Sequence, residues 1–284
     1  MCAPLPSLTD SPANEAKRAE SYTRVSSSSA TMKCFLSACA ALFAGLFTAA
    51  SCLHAGESPK DSTQPAVPPE FAKVTDDPNL PRVLLMGDSV SIGYALEVRS
   101  LLAGHANVHR VAANCGSTKT ALGWSGLTRW LPDLKEKWDV IHFNHGLHDL
   151  SYRFADDRDR DEKGVYASPS NGGRPNVSVE DYEKNLHQII QRLKKTGAKL
   201  IFASTTPVPE SDAAKYVKDS ELPYNAAAKR VMQEEGVLWN DLWALVKPRQ
   251  EELQGKRNVH FTPAGSSIMA RLVAERIRLE LPAR

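Results

Sequence analysis

From residue 81 onward, short apolar runs alternate with helix-length amphipathic stretches, and this alternation restricts the fold more than any other feature. The strand candidates are 83–86, 108–112, 140–143, 199–203 and 237–239. Several are continuously apolar, as expected of strands covered on both faces of a parallel sheet. Helical periodicity marks 90–102, 179–195, 224–235, a short stretch at 242–246, and 263–281. In 179–195, Ser178 stands as N-cap, Gly197 lies just past the end, and Tyr182, Leu186, Ile189, Ile190 and Leu193 share one face. The alternation predicts a three-layer α/β domain with right-handed crossovers.

The chain has 284 residues, 42% of them hydrophobic and 24% charged, which suits one sizeable domain plus extra segments. A net charge of +2 without a basic stripe gives no basis for a nucleic-acid partner. Cys2, Cys34, Cys39 and Cys52 precede residue 53, leaving Cys115 alone in the predicted domain, so no intrachain disulfide framework is expected there. Met32-Lys33 and the apolar stretch 34–53 read as a secretory signal over 32–55. A membrane anchor competes with that reading, because the stretch approaches spanning length. Cys52 lies in a degenerate lipoprotein-like Ala-Ala-Ser-Cys box, so lipidation there is a third reading. The polar segment 1–31 is expected to be a non-native or disordered extension before a true start at Met32, and 56–80 a linker to a domain spanning 81–284. These readings imply a secreted, periplasmic or cell-envelope location, with membrane attachment only through the N-terminal segment or a lipidated Cys52.

Four blocks lie at predicted strand ends or helix entries. Gly87-Asp88-Ser89 follows the first strand and puts a hydroxyl and a backbone N–H at a helix start, a position suited to a developing oxyanion. Ala113-Asn114-Cys115-Gly116 follows the second strand, where a glycine lets backbone approach a ligand. Phe143-Asn144-His145-Gly146-Leu147-His148-Asp149 follows the third. A metal site formed by His142, His145 and His148 is not expected, because three-residue steps along a strand alternate faces. Asn258-Val259-His260-Phe261-Thr262-Pro263 leads into the last helix, with Thr262 as N-cap and His260 a candidate general base. The polar stretch 151–176 is longer than a routine connection and reads as a solvated excursion or a substrate-facing rim. Trp124, Trp130 and Tyr152 are candidates for stacking on sugars.

In this order, the four blocks resemble the SGNH (GDSL-type) hydrolase family over about residues 81–284. Thr205-Thr206-Pro207-Val208-Pro209 and Tyr224-Asn225 add to the likeness. The resemblance implies a flavodoxin-like, five-stranded parallel sheet in an α/β/α sandwich. It implies Ser89 as nucleophile and His260 as base. Ser89, Gly116 and His148 would form the oxyanion hole, and no metal or organic cofactor is implied. Asp88 and Asp149 are expected to brace loops rather than react.

The chain departs from the family pattern twice. His148 replaces the oxyanion-hole asparagine, although an imidazole N–H can also donate to an oxyanion. Arg257 stands where the triad aspartate is expected, and a guanidinium cannot accept the hydrogen bond that orients a base. Three arrangements fit that loss: a Ser–His dyad oriented by a backbone carbonyl, orientation by the Asn258 side-chain oxygen, or an inactive relative. The corresponding functions are a secreted serine esterase acting on small-molecule or polysaccharide esters, including carbohydrate O-acetyl groups, and a non-catalytic carbohydrate-binding or cell-surface module. An acceptor beside the second nitrogen of His260 separates the two.

Overall fold

The computed structural model describes residues 67–132, 136–158, 160, 163–211 and 214–283; the segments expected at 1–31 and 32–55 lie outside them. The described strands are β1 (Arg82–Met86), β2 (Asn107–Arg110), β3 (Val140–Phe143), β4 (Tyr152–Arg153), β5 (Arg174–Pro175), β6 (Lys199–Ala203) and β7 (Leu238–Asn240). The α-helices are α1 (Ser89–Leu101), α2 (Thr118–Leu122), α3 (Leu127–Trp130), α4 (Leu147–Leu150), α5 (Val179–Lys194), α6 (Glu221–Glu235), α7 (Leu242–Val246), α8 (Gln250–Leu253) and α9 (Pro263–Glu280).

The main sheet has five parallel strands in the order β2-β1-β3-β6-β7, the flavodoxin-like arrangement. Right-handed crossovers leaving β1 in one direction and β3 in the other place their helices on opposite faces. Accordingly α1 packs with α9, whereas α5 packs with α2 and α6. Val83 to Met86, Val140, Ile141, Phe143 and Ile201 to Ala203 are buried, which accounts for the apolar character of these strands. Strand order reverses between β1 and β3, so the crevice beyond their carboxyl ends is where such a sheet binds ligands.

Local chemistry sets the element ends. Ser178 caps α5 by accepting from Asp181 N–H at 3.1 Å, and Thr262 caps α9 by accepting from Gly265 N–H at 3.1 Å. Helix α6 starts at Glu221 rather than at 224 because Pro223 falls in its first turn, where no N–H is required. Strand β2 ends at Arg110 rather than 112, since the guanidinium of Arg110 turns inward and bonds the backbone beyond it.

The part of the expected linker that the structure describes lies against the domain. Arg99 donates to Pro69 O at 3.2 Å, Asp77 N–H to Asn107 Oδ1 at 3.0 Å, and Asp76 pairs with Arg82 and His109. The 151–176 excursion also holds structure. Strands β4 and β5 pair antiparallel, and Asn176 and Val177 donate to Ser151 O and Asp149 O.

Gly146 permits the turn from β3 into α4. Its φ is +156°, and a Cβ there would lie 1.9 Å from Thr205 Oγ1. Gly146→Ala is expected to cost roughly 3 kcal/mol or more. Adding Thr205→Ala should recover part of that loss; urea unfolding of the two variants and the wild type measures both effects.

Candidate active site

Residues from β1, β2, β3 and the loop before α9 meet beyond the strand ends. Ser89 is the first residue of α1. Asp88 caps this helix by accepting from Val90 N–H at 2.9 Å, so the Ser89 N–H stands at the positive end of a 13-residue helix. Gly87 is required beside it, because a Cβ would come within 2.8 Å of Ser91 Oγ. The Ser89 Oγ lies 2.8 Å from His260 Nε2.

The other ring nitrogen of His260, Nδ1, lies 2.8 Å from Asn258 Oδ1, which also accepts from the His260 backbone N–H at 3.0 Å. An amide oxygen can only accept, so Nδ1 carries the proton and Nε2 presents its lone pair to Ser89. The loop is closed by Gly255 N–H to His260 O at 2.7 Å, Asn258 N–H to Gly255 O at 3.0 Å and Thr262 N–H to Leu253 O at 2.9 Å. Buried Gln254 ties it down by donating to Pro207 O and Val259 O. Arg257 turns the chain through φ +54° and leaves Asn258 on the side of the imidazole. Of the three arrangements compatible with Arg257, the geometry matches orientation by Asn258.

The expected oxyanion groups sit on two neighbouring turns. Gly116 adopts φ +59°, and its N–H donates to Asn114 Oδ1 at 3.0 Å, so this donor is engaged within its own turn. His148 is half-buried in α4, and no hydrogen bond to its ring nitrogens occurs among the described residues. Burial pushes its pKa down, and the charges of Arg153, Lys215 and His260 add to this while Asp88 opposes it. The imidazole is therefore held toward the neutral form, which has one N–H to donate.

Side chains that sequence reasoning left aside fix these turns. Arg110 is buried and donates to the carbonyls of Gly87, Asp88, Val111 and Ala113 and to Ser91 Oγ, at 2.6–3.3 Å. It thereby joins the serine turn to the start of the Gly116 turn. His145 Nδ1 reaches Gly116 O at 3.0 Å, while Tyr182 and Thr205 donate to His145 O. Asn225 exchanges two 2.8 Å hydrogen bonds with the backbone of Thr205. His142 instead points into the core beside Tyr94 and Asn240, and burial takes its pKa down to about 3. The three histidines thus diverge, and among the described residues no metal-holding group of His, Cys, Asp or Glu occurs. Trp124 is exposed with Arg129 over its ring, whereas Trp130 packs against the core.

A strand-end hydroxyl paired with an oriented imidazole stands at the reversal point of this three-layer α/β sheet, and the family that the chain matches makes the fold that of a hydrolase. The chain belongs to the GDSL-like lipase/acylhydrolase family, which residues 85–268 match. Comparison with curated protein sequences gives no match. Among solved structures, a lipase/acylhydrolase from Enterococcus faecalis is similar with TM-score 0.55 and 18% identity, covering 72% of this chain and 98% of its own. The acetylxylan esterase Axe2 from Geobacillus stearothermophilus is similar with TM-score 0.51 and 19% identity, covering 69% and 94%. The acetyl xylan esterase AlAXEase gives TM-score 0.51 and 17% identity, covering 69% and 99%. At these identities the likeness establishes the shared fold.

Asp149 braces the same region. Its Oδ1 accepts from Thr118 N–H at 2.9 Å and from Thr118 Oγ1 at 2.5 Å, while Oδ2 is buried with no partner among the described residues. Burial raises the carboxyl pKa to about 7 despite the Thr118 hydrogen bonds. The folded state therefore favours the protonated acid. That contribution is complete below about pH 4 and is lost as pH rises toward 7, a change of about 4 kcal/mol. In urea unfolding across this range, Asp149→Asn should gain on the wild type as pH rises. Parallel pH profiles for the two proteins would contradict the assignment.

Proposed function

We propose that the protein is an exported serine esterase that cleaves short acyl esters, with O-acetyl groups on carbohydrate as the substrate class. The observation that carries this reading is the continuous relay Ser89 Oγ–His260 Nε2–His260 Nδ1–Asn258 Oδ1, with both contacts at 2.8 Å. The acetylxylan esterases of the same fold lend the substrate class support. The signal-like 32–55 segment supports export.

In this mechanism, Ser89 Oγ attacks the ester carbonyl as its proton passes to His260 Nε2. The negative charge collects on the former carbonyl oxygen. The Ser89 N–H and a ring N–H of neutral His148 stabilise it, joined by the Gly116 N–H once it turns from Asn114 Oδ1 to the substrate. Collapse of the tetrahedral intermediate breaks the bond to the alcohol, which leaves with the proton from His260. Water then gives a proton to His260 and its oxygen to the acyl carbon, releasing the acid and returning the proton to Ser89. Asn258 holds the productive tautomer throughout but cannot neutralise the imidazolium as a carboxylate would, so a slower chemical step is expected. The binding-module reading loses its main support, since an acceptor does lie beside Nδ1 of His260.

Hydrolysis of 4-nitrophenyl acetate tests the proposal. Ser89→Ala and His260→Ala should each lower kcat/KM by about 10³-fold or more. Asn258→Ala should lower it about 10²-fold, whereas Asn258→Asp should retain or exceed wild-type activity. Activity indifferent to Ser89 and His260 would refute the mechanism.

For the oxyanion role, His148→Ala should reduce kcat about 10²-fold with little change in KM, and His148→Asn should recover most of the loss. Equal defects in the two variants would remove His148 from the oxyanion hole.

A further inference from the structure

An internal cavity of about 10 Å³ lies behind the serine turn, with room for one water molecule and nothing larger. Polar side chains line it, and the rest of its wall is aliphatic. Two of the polar groups are already committed. Ser91 Oγ donates to Asp88 O and accepts from Arg110, while Ser204 Oγ donates to Asp241 Oδ1 and accepts from Trp243 N–H. The other four, Asp88, Tyr94, Asn144 and Thr206, are buried, and each keeps an oxygen with no hydrogen bond among the described residues.

These four oxygens divide evenly by what they need. Asp88 Oδ1 accepts from Val90 N–H at 2.9 Å, which leaves the second carboxylate oxygen in want of a donor. Asn144 Nδ2 donates to Ala203 O at 2.9 Å, so its Oδ1 also needs a donor. The Tyr94 and Thr206 hydroxyls each have a proton to give. Burial pushes the Tyr94 pKa well up, with the charge of Asp88 adding to this and Arg110 opposing it, so the phenol keeps its proton. Thr206 Oγ1 is buried with no partner among the described residues. Each group would carry a desolvation cost if left unmatched. A water molecule, which donates two hydrogen bonds and accepts two, matches all four. A bare cation would leave both hydroxyl protons without an acceptor.

We infer that one water molecule is a fixed part of this site, donating to Asp88 and Asn144 and accepting from Tyr94 and Thr206. It ties the start of α1 to the chain leaving β3 and β6. Arg110 holds the serine turn from the β2 side, and the water holds it from the other. Asp88 caps α1, so fixing its carboxylate sets the direction in which Ser89 presents its N–H and Oγ. Tyr94 and Thr206 are thus positioning residues for Ser89. That role rests on the esterase reading, whereas the binding of the water does not.

A high-resolution crystal structure of the wild type should show one water about 2.5–3.0 Å from an oxygen of each of the four residues. No density there, or a metal cation recognised by shorter contacts, would overturn the inference. Thr206→Val puts a methyl group in place of the hydroxyl and should displace the water, whereas Thr206→Ser should keep it. Urea unfolding then tests the coupling. Tyr94→Phe should lower the midpoint in the wild type. In Thr206→Val protein it should leave the midpoint level or raise it, because the Tyr94 hydroxyl has already lost its acceptor. An equal loss in both backgrounds would refute a shared water. In hydrolysis of 4-nitrophenyl acetate, Thr206→Val should lower kcat about fivefold with little change in KM, and Thr206→Ser should restore it. An unchanged kcat in Thr206→Val protein whose crystal structure lacks the water would overturn the positioning role. The crystal structures and the unfolding need no turnover. A wild type that holds the water but hydrolyses no ester would therefore retain the water site and refute the esterase.

Discussion

The buried guanidinium of Arg110 is the contact on which the arrangement beyond the sheet depends. It sits at the end of β2, yet its acceptors belong to the β1–α1 turn and to the chain leaving β2. Parallel strands β1 and β2 are already in register, but register alone leaves the backbone past their ends free to splay. A planar, rigid five-donor group can satisfy several carbonyls at fixed angles, which a lysine cannot. Because these carbonyls are buried, each would carry a desolvation cost if Arg110 were lost. The same guanidinium therefore satisfies the serine turn and sets its distance from the second turn.

A second set of contacts joins the Gly116 turn to the third strand. His145 holds the Gly116 carbonyl, and Asp149 holds the Thr118 backbone and hydroxyl two residues later. Both side chains flank Gly146, whose lack of a Cβ lets the turn press against Thr205. The four blocks therefore form a chain of mutual supports, in which most of the polar residues near Ser89 have structural work that excludes them from proton transfer. Beyond these supports, Ser89 Oγ and His260 Nε2 face each other, and no hydrogen bond to the His148 ring occurs among the described residues.

Much of this was legible in the sequence. Short, largely apolar runs located the five sheet strands, and the N-caps Ser178 and Thr262 located two long helices, because these signals are local. Ser89 and His260 were also predictable as neighbours, since each adjoins a helix start at the same edge of a parallel sheet. Arg110 was not, because its five acceptors are gathered only by folding. The ribbon within 151–176 pairs only two residues per strand, too few to show a period in a polar segment. The engagement of the Gly116 N–H did leave a local sign: an asparagine two positions earlier can close such a turn on itself.

Arg257 shows how a lost residue type need not mean a lost geometry. An acceptor three positions before the histidine requires one path of the loop; an acceptor two positions before requires another. The left-handed backbone at Arg257 supplies the second path, and the short asparagine that follows bonds both the backbone and the ring of His260 through one oxygen. Asparagine can do this without adding negative charge. Around His148 the charges are mixed: burial, Arg153 and Lys215 favour the neutral ring, and Asp88 opposes them. What a carboxylate would add here is charge compensation, because the tautomer and the direction of the ring are already set by the Asn258 oxygen.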